Sequence, residues 1–208
     1  MLTFGFIGVL LNWVKTKLIF NFANTKSIPM ERIKLHDKNF RLFIKNEEIE
    51  QSIKTVADQL NNDFKNVERP LFLAILNGSF MFAASLLKNI DFECEIAFVR
   101  LSSYNGTSSS GNVKHILGFD KSLEGRNVII VEDIIDSGET IEEINKILYE
   151  ANVKDKKICT MLLKPDAVKK DLKIDYAAMR IPNDFIVGFG LDYNELGRQY
   201  RDIYILEQ

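Results

Sequence analysis

The chain has 208 residues, 46% of them hydrophobic and 27% charged, with a formal net charge of −2. That length suits one domain able to bury roughly 70% of its unfolded surface, and the balance is that of an ordinary globular protein. A slightly acidic chain argues against a nucleic-acid groove as its main business. Cys94 and Cys159 lie far apart in apolar runs without metal-ligand neighbours, and they read as thiols of a reducing, cytoplasmic compartment.

Residues 1–29 do not match the rest. Met1 to Phe22 is rich in Phe, Leu and Ile but is interrupted by Lys15 and Lys17, whereas a membrane span wants about 20 unbroken apolar residues. A clear basic start and small-residue cleavage site, the marks of a signal peptide, are missing. An amphipathic surface helix is one reading. The reading we adopt is an upstream extension to a single domain over 30–208, with Met30 as a natural start and no membrane contact expected of that domain.

Asn46 to Phe64 carries Ile49, Ile53, Val56, Ala57 and Leu60 at a helical period. Leu71 to Leu76 is a continuous apolar run ended by Asn77-Gly78, which predicts a buried strand and a tight turn. Met81 to Leu87 reads as a helix and Ile96 to Leu101 as a strand. Ser102 to Gly111, with five Ser, one Thr and two Gly, reads as a long polar loop. Further strands are predicted over 128–131, 158–163, 176–179, 185–190 and 203–206. Strands alternating with helices predict an α/β fold, a mainly parallel central sheet flanked by helices. Ligands of such sheets bind where strands end at their carboxyl edge.

The most informative string is Val131-Glu132-Asp133-Ile134-Ile135-Asp136-Ser137-Gly138-Glu139-Thr140. It follows the apolar run Val128-Ile129-Ile130 and precedes Ile141, Ile144 and Leu148 at helical spacing, so it reads as a turn between a strand and a helix. Backbone N–H groups at a helix start, with a glycine to let the chain bend, make a pocket for phosphate. Carboxylates repel a phosphate. They become useful when the ligand also carries sugar hydroxyls to be held as donors and a divalent cation to offset charge. A Walker loop would need a lysine after Gly138, and none is there. Taken singly, each acid could be a solvated residue of a first helical turn, with Ser137 a plain helix cap.

The whole string resembles the phosphoribosyl-diphosphate signature of the type I phosphoribosyltransferases, and Glu-Asp-Ile-Ile-Asp is similar to the hypoxanthine-guanine branch. The resemblance runs from about Ile28 to the last residue. It implies the type I phosphoribosyltransferase fold, with a small hood built from the chain ends over the central sheet. It implies Mg2+ as cofactor, phosphoribosyl diphosphate and a 6-oxopurine as substrates, a role in purine salvage, and a dimer or tetramer of identical chains.

Residue by residue, the resemblance implies that Ser137, Gly138, Glu139 and Thr140 bind the 5′-phosphate. Glu132 and Asp133 are implied to take the ribose hydroxyls and to stand near the metal, and Asp136 to act at purine N7. Asn77 and Gly78 resemble the pyrophosphate loop, whose peptide bond is often cis; many relatives carry lysine where this chain has Asn77, so one positive charge is missing. Ser103 and Tyr104 resemble the catalytic loop that closes over the diphosphate and excludes water. Lys164, which on its own could simply reach into solvent, is implied to donate to the oxygen at purine position 6. An adenine amino group would meet it as a second donor.

Tyr176 is implied to stack on the base with Ala177 beside it, and Ile181 and Val187 are possible structural neighbours of that pocket, although an aromatic in a strand is more often core. Asp192 is implied to hold the metal and Arg198 to grip pyrophosphate with its planar fork. His36 and His115 lack partners at suggestive spacing. Three other readings stay open: transfer to another base such as xanthine or adenine, a non-catalytic sensor of phosphoribosyl diphosphate, and a phosphate-binding hydrolase.

Overall fold

The computed structural model describes residues 31–101, 115–117, 122–169 and 171–207. The expectations for residues 1–29 and for the Ser103-Tyr104 loop fall outside them. In chain order the elements are β1 (Arg32–Leu35), β2 (Lys38–Ile44), α1 (Asn46–Phe64), β3 (Leu71–Leu76), α2 (Phe80–Leu87), β4 (Glu95–Arg100), β5 (His115–Leu117) and β6 (Asn127–Ile135). They continue with α3 (Glu139–Glu150), β7 (Asp155–Leu163), β8 (Tyr176–Arg180), β9 (Ile186–Val187) and β10 (Ile203–Leu206).

Six strands form the central sheet in the order β5-β4-β3-β6-β7-β8. All pairs are parallel except the edge pair β4–β5, which is antiparallel. The central strands are apolar on both faces because helices cover both. Along β3, Phe72 and Ala74 pack with α1 and α2, while Leu71, Leu73 and Ile75 pack with α3. The alternation is the period of two that a strand imposes. Helix α1 buries Ile49, Ile53, Val56, Ala57, Leu60 and Phe64, and α3 buries Ile141, Ile144 and Leu148. Each large aliphatic side chain so buried contributes roughly 1.5–3 kcal/mol.

The connection from β3 through α2 leads one way to β4, and the connection from β6 through α3 leads the other way to β7. The winding of successive connections along the sheet therefore reverses between the parallel strands β3 and β6, and a crevice opens beyond their carboxyl ends. Pairing between them stops at Ala74↔Val131, while β6 goes on pairing with β7 through Ile135↔Leu163. This corrects the expected end of the strand near Val131: Glu132 and Asp133 lie within β6, and the turn begins only after Ile135. Their carboxylates are thereby carried on a strand edge rather than on a loop.

The second sheet is the hood, four antiparallel strands in the order β1-β2-β10-β9. It closes on Ile33, Leu35, Phe40, Val187 and Tyr204. The β1–β2 hairpin was not expected from the sequence. Val187 is wholly buried in this hood core, so it does not line the crevice. Asp202, before β10, is buried and accepts from the backbone N–H of Asn46 at 2.8 Å, which fastens the hood to the start of α1. Among the described residues no helix is long and apolar enough to cross a membrane.

Candidate active site

Two loops and the end of β6 meet in the crevice at close contact. The β3–α2 turn holds Asn77, Gly78 and Ser79, and the Leu76–Asn77 peptide bond is cis. Ser79 is buried and donates its hydroxyl to the Ile75 carbonyl at 2.5 Å. A Cβ on Gly78 would stand 1.4 Å from Asp133 Oδ2, so only glycine lets that carboxylate cross the turn. From the far side, Gly190 has φ +100°, and a Cβ there would stand 2.0 Å from the Gly78 carbonyl oxygen. Asp133, Gly78 and Gly190 are thus layered one on another.

The loop from Gly188 to Arg198 is held by its own contacts. Gly190 N donates to the Arg198 carbonyl at 3.0 Å, and Arg198 Nη1 donates back to the Gly190 carbonyl at 2.7 Å. Arg198 Nη2 pairs with Asp192 Oδ1 at 2.5 Å, and Asp192 Oδ2 accepts from Glu195 N at 2.8 Å. The guanidinium carries five N–H donors, so two fixed partners leave others to meet an anion arriving beside the Gly78 turn.

Glu132 is buried, and its Oε2 has no hydrogen-bond partner. Burial first, then the neighbouring charge of Asp133 and a hydrogen bond to it, pushes the Glu132 carboxyl well above the usual range. A buried carboxylate oxygen without a donor is costly, and sugar hydroxyls or a hydrated cation would relieve it. Among the described residues, no three acids, histidines or cysteines stand close enough to hold a metal by themselves. Glu132 and Asp133 therefore do not form one ready-made cage with Asp192, which already carries Arg198. Two carboxylates still fit Mg2+, which keeps waters and substrate oxygens in its shell.

After β6 the chain turns through Asp136, Ser137 and Gly138. Gly138 takes φ 87°, a left-handed conformation that glycine adopts freely, and it caps α3 without a side-chain hydrogen bond. Ser137 Oγ accepts only a long bond of 3.4 Å from Glu139 N. The first N–H groups of α3 have no partner within the helix, and such a helix start suits an anion. The β7 side laces this turn in place: Lys164 N donates to the Ile135 carbonyl at 2.9 Å and Lys169 N to the Ser137 carbonyl at 3.3 Å. Lys164 Nζ then reaches Asp136 Oδ2 at 2.9 Å. A cation and a carboxylate side by side match a heterocycle edge that offers an acceptor next to a ring nitrogen.

The expected placement of Tyr176 and Ala177 at the base is corrected. Cys159 pairs with Tyr176 and Thr160 with Ala177, whereas the carboxyl edge lies at Leu163↔Arg180. At about 3.3 Å per residue, Tyr176 is some 13 Å short of that edge. Its hydroxyl donates to Asp63 Oδ2, at the end of α1, at 2.7 Å. Burial and that acidic neighbour push the phenol up. Ile181, by contrast, is buried just past the carboxyl edge, its N–H bonded to the Leu163 carbonyl at 2.9 Å.

The aromatic the sequence reading passed over is Phe185. It is 45% exposed, with its ring 5.8 Å from that of Tyr193, next to Asp192. The signal was an aromatic directly after the polar run Pro182-Asn183-Asp184, before an apolar strand begins.

A family model described as a phosphoribosyl transferase domain matches residues 43–194. Hypoxanthine-guanine phosphoribosyltransferase of Lactococcus lactis is 43% identical over 166 residues, covering 78% of this chain and 87% of the relative. The Bacillus subtilis enzyme of the same name is 39% identical over 168 residues, covering 80% and 93%. A crystal structure of a hypoxanthine-guanine phosphoribosyltransferase from Bacillus anthracis superimposes with a TM-score of 0.71 at 36% identity, covering 80% of this chain and 96% of that one. The chain belongs to the phosphoribosyltransferase family, in its hypoxanthine-guanine branch.

Proposed function

We propose that the protein transfers a 5-phosphoribosyl group from phosphoribosyl diphosphate to N9 of hypoxanthine and guanine, releasing pyrophosphate and serving purine salvage. The observation that carries this is the Lys164–Asp136 pair, 2.9 Å apart and one turn from the open start of α3. Lys164 donates to the 6-oxygen of the base. Asp136 takes or shares the N7 proton as N9 becomes nucleophilic. Ser137 to Thr140 hold the 5′-phosphate by backbone N–H groups and hydroxyls, and Glu132 and Asp133 accept from the ribose hydroxyls. Arg198 stabilises the negative charge that gathers on departing pyrophosphate. Phe185, in place of Tyr176, offers the base an aromatic face.

Glu132, Asp133 and Asp192 are the residues that would hold Mg2+, which would supply positive charge to the diphosphate. A cytoplasmic, homo-oligomeric enzyme completes the reading. The test is incubation with phosphoribosyl diphosphate, Mg2+ and each of hypoxanthine, guanine, xanthine and adenine. Nucleotide from hypoxanthine and guanine is expected. Product from adenine alone overturns the role of Lys164, and binding of phosphoribosyl diphosphate without product from any base overturns the enzyme.

A further inference from the structure

We propose that the β1–β2 turn of the hood, His36 and Asp37, is a positioning element for the pyrophosphate side of the site, acting through Tyr193 and Asn194 on Asp192 and Arg198. The inference rests on the function proposed above and adds residues that touch no substrate.

Between Tyr193 and Leu196 the chain reverses in two residues. Tyr193 N donates to the Leu196 carbonyl at 2.8 Å, and Leu196 N donates back at 3.2 Å. Both central residues are left-handed, Asn194 at φ 48° and Glu195 at φ 69°. A turn of that kind favours Asn followed by Gly. Here Glu195 puts a side chain where glycine is favoured, so local preference alone does not hold the turn.

The hood turn supplies contacts from outside. Tyr193 donates its hydroxyl to Asp37 Oδ1 at 2.9 Å, and His36 Nε2 lies 3.1 Å from the Asn194 carbonyl oxygen, which it can meet as a donor. The His36 ring meets the Tyr193 ring edge-on at 5.7 Å, and Lys38 Nζ stands 5.6 Å over the same ring. The Tyr193 hydroxyl holds the Asp37 carboxyl below its ordinary range, and Asp37 holds the phenol above its own.

What this turn fixes is the pyrophosphate side. Glu195 N, inside the turn, donates to Asp192 Oδ2, and Asp192 Oδ1 pairs with Arg198, which bonds the Gly190 carbonyl against the Gly78 loop. A hydrogen-bonded chain thus runs from an exposed hairpin turn to the loop expected to bind pyrophosphate. A loosened hood turn would leave Arg198 less well aimed while the Lys164–Asp136 pair stays as it is.

The test compares the intact protein with Asp37→Ala, Tyr193→Phe and Asp37→Asn, the last keeping a carbonyl acceptor for the phenol. Calorimetry gives the Kd for inorganic pyrophosphate with Mg2+, and steady-state kinetics give KM for each substrate. Asp37→Ala and Tyr193→Phe are expected to raise the pyrophosphate Kd and the KM for phosphoribosyl diphosphate about fivefold to tenfold, the worth of one hydrogen bond. KM for hypoxanthine should stay within about twofold, Asp37→Asn should restore most of the loss, and the double variant should be no worse than either single one. Unchanged pyrophosphate affinity overturns the proposal, and so does a parallel rise in both KM values with a fall in Tm. An intact protein that binds pyrophosphate yet forms no nucleotide from any base removes the proposed function, and the calorimetric comparison still decides the hood turn.

Discussion

Lys164 and Asp136 form an ion pair of unequal depth: the lysine side chain is 9% exposed and the aspartate 50%. The carboxylate is the solvent-facing member and the lysine lies behind it, fixed by the strand end; on the proposed function an arriving base would meet the carboxylate first. Asp136→Asn keeps an oxygen for the lysine and removes the proton acceptor. We expect turnover to fall by about 100-fold or more. The loss of stability should stay within about 1 kcal/mol, since the exposed half of the pair is screened by solvent. Unchanged turnover in a stopped-time assay of nucleotide formation would refute the proton-transfer role.

Gly78→Ala tests the layering of Asp133, Gly78 and Gly190. Its Cβ would overlap the Asp133 carboxylate, 1.4 Å from Oδ2 and 2.4 Å from Cγ. Asp133 must swing away, because the three atoms nearest that Cβ all belong to its carboxylate. The expected outcome is a folded protein whose affinity for phosphoribosyl diphosphate drops by about tenfold or more, a ribose-hydroxyl contact being lost. Binding by titration calorimetry at intact strength would contradict the close packing of Gly78 on Asp133.

Glu132 gives a dependence on pH with a definite sign. Its folded carboxyl lies well above the ordinary 4.5 because it is buried. A carboxyl raised on folding binds its proton more tightly in the folded chain. Stability is therefore lost as pH climbs from the unfolded value to the folded one, and the penalty stays in full above both. Glu132→Gln removes that penalty, so without ligand it should be more stable by about 1–3 kcal/mol near neutral pH. That is a Tm gain of several degrees, roughly 2–4 °C per kcal/mol. The gain should shrink toward zero as the pH is lowered to about 4, and affinity for phosphoribosyl diphosphate should weaken. A melting series in which the gap narrows as pH rises would contradict the burial argument.

Tyr176→Phe separates the amino edge of the sheet from the carboxyl edge. The substitution removes the hydroxyl that Asp63 accepts from and keeps the ring in its buried place. The cost should be about 1 kcal/mol of stability, with KM for the base within about twofold of the original, since the residue sits some 13 Å from the edge. A large rise in KM for hypoxanthine alone would reinstate Tyr176 at the base.

The central sheet was legible because β3, β6 and β7 are apolar runs too short for buried helices, each followed by a turn residue. Helix α1 was legible to both ends, Asn46 and Phe64, from its periodic apolar face. The hood hairpin was passed over although Ile33 and Leu35, then Phe40, Leu42 and Ile44, alternate as strands do; the strands are short, and their partner β10 is about 160 residues away in sequence.

Glu132 and Asp133 were placed in a turn because acids are poor strand formers, yet pairing with β7 carries the strand past them. Tyr176 was misplaced for a different reason. Which end of a strand a residue occupies follows from register with its neighbour, and composition does not record register. Phe185, nine positions later, shares its chemistry and lies beside the Asp192 loop. The pairing of Lys164 with Asp136 was foreseen only as two separate roles. Their contact depends on how the turns after β6 and β7 are laced together.

The hood sheet has a consequence for synthesis on the ribosome. A nascent chain that has emerged as far as Arg180 already holds every strand of the large sheet, including the acids of β6, but β2 has no neighbour on its inner side until Ile203 to Leu206 appear. Chains grow at about 5–20 residues per second and domains generally fold as units, so the hood, and the Gly188 to Arg198 loop that precedes its last strand, cannot close before Ile203 to Leu206 are made. The order of translation thus makes the hood the last part of the fold to complete.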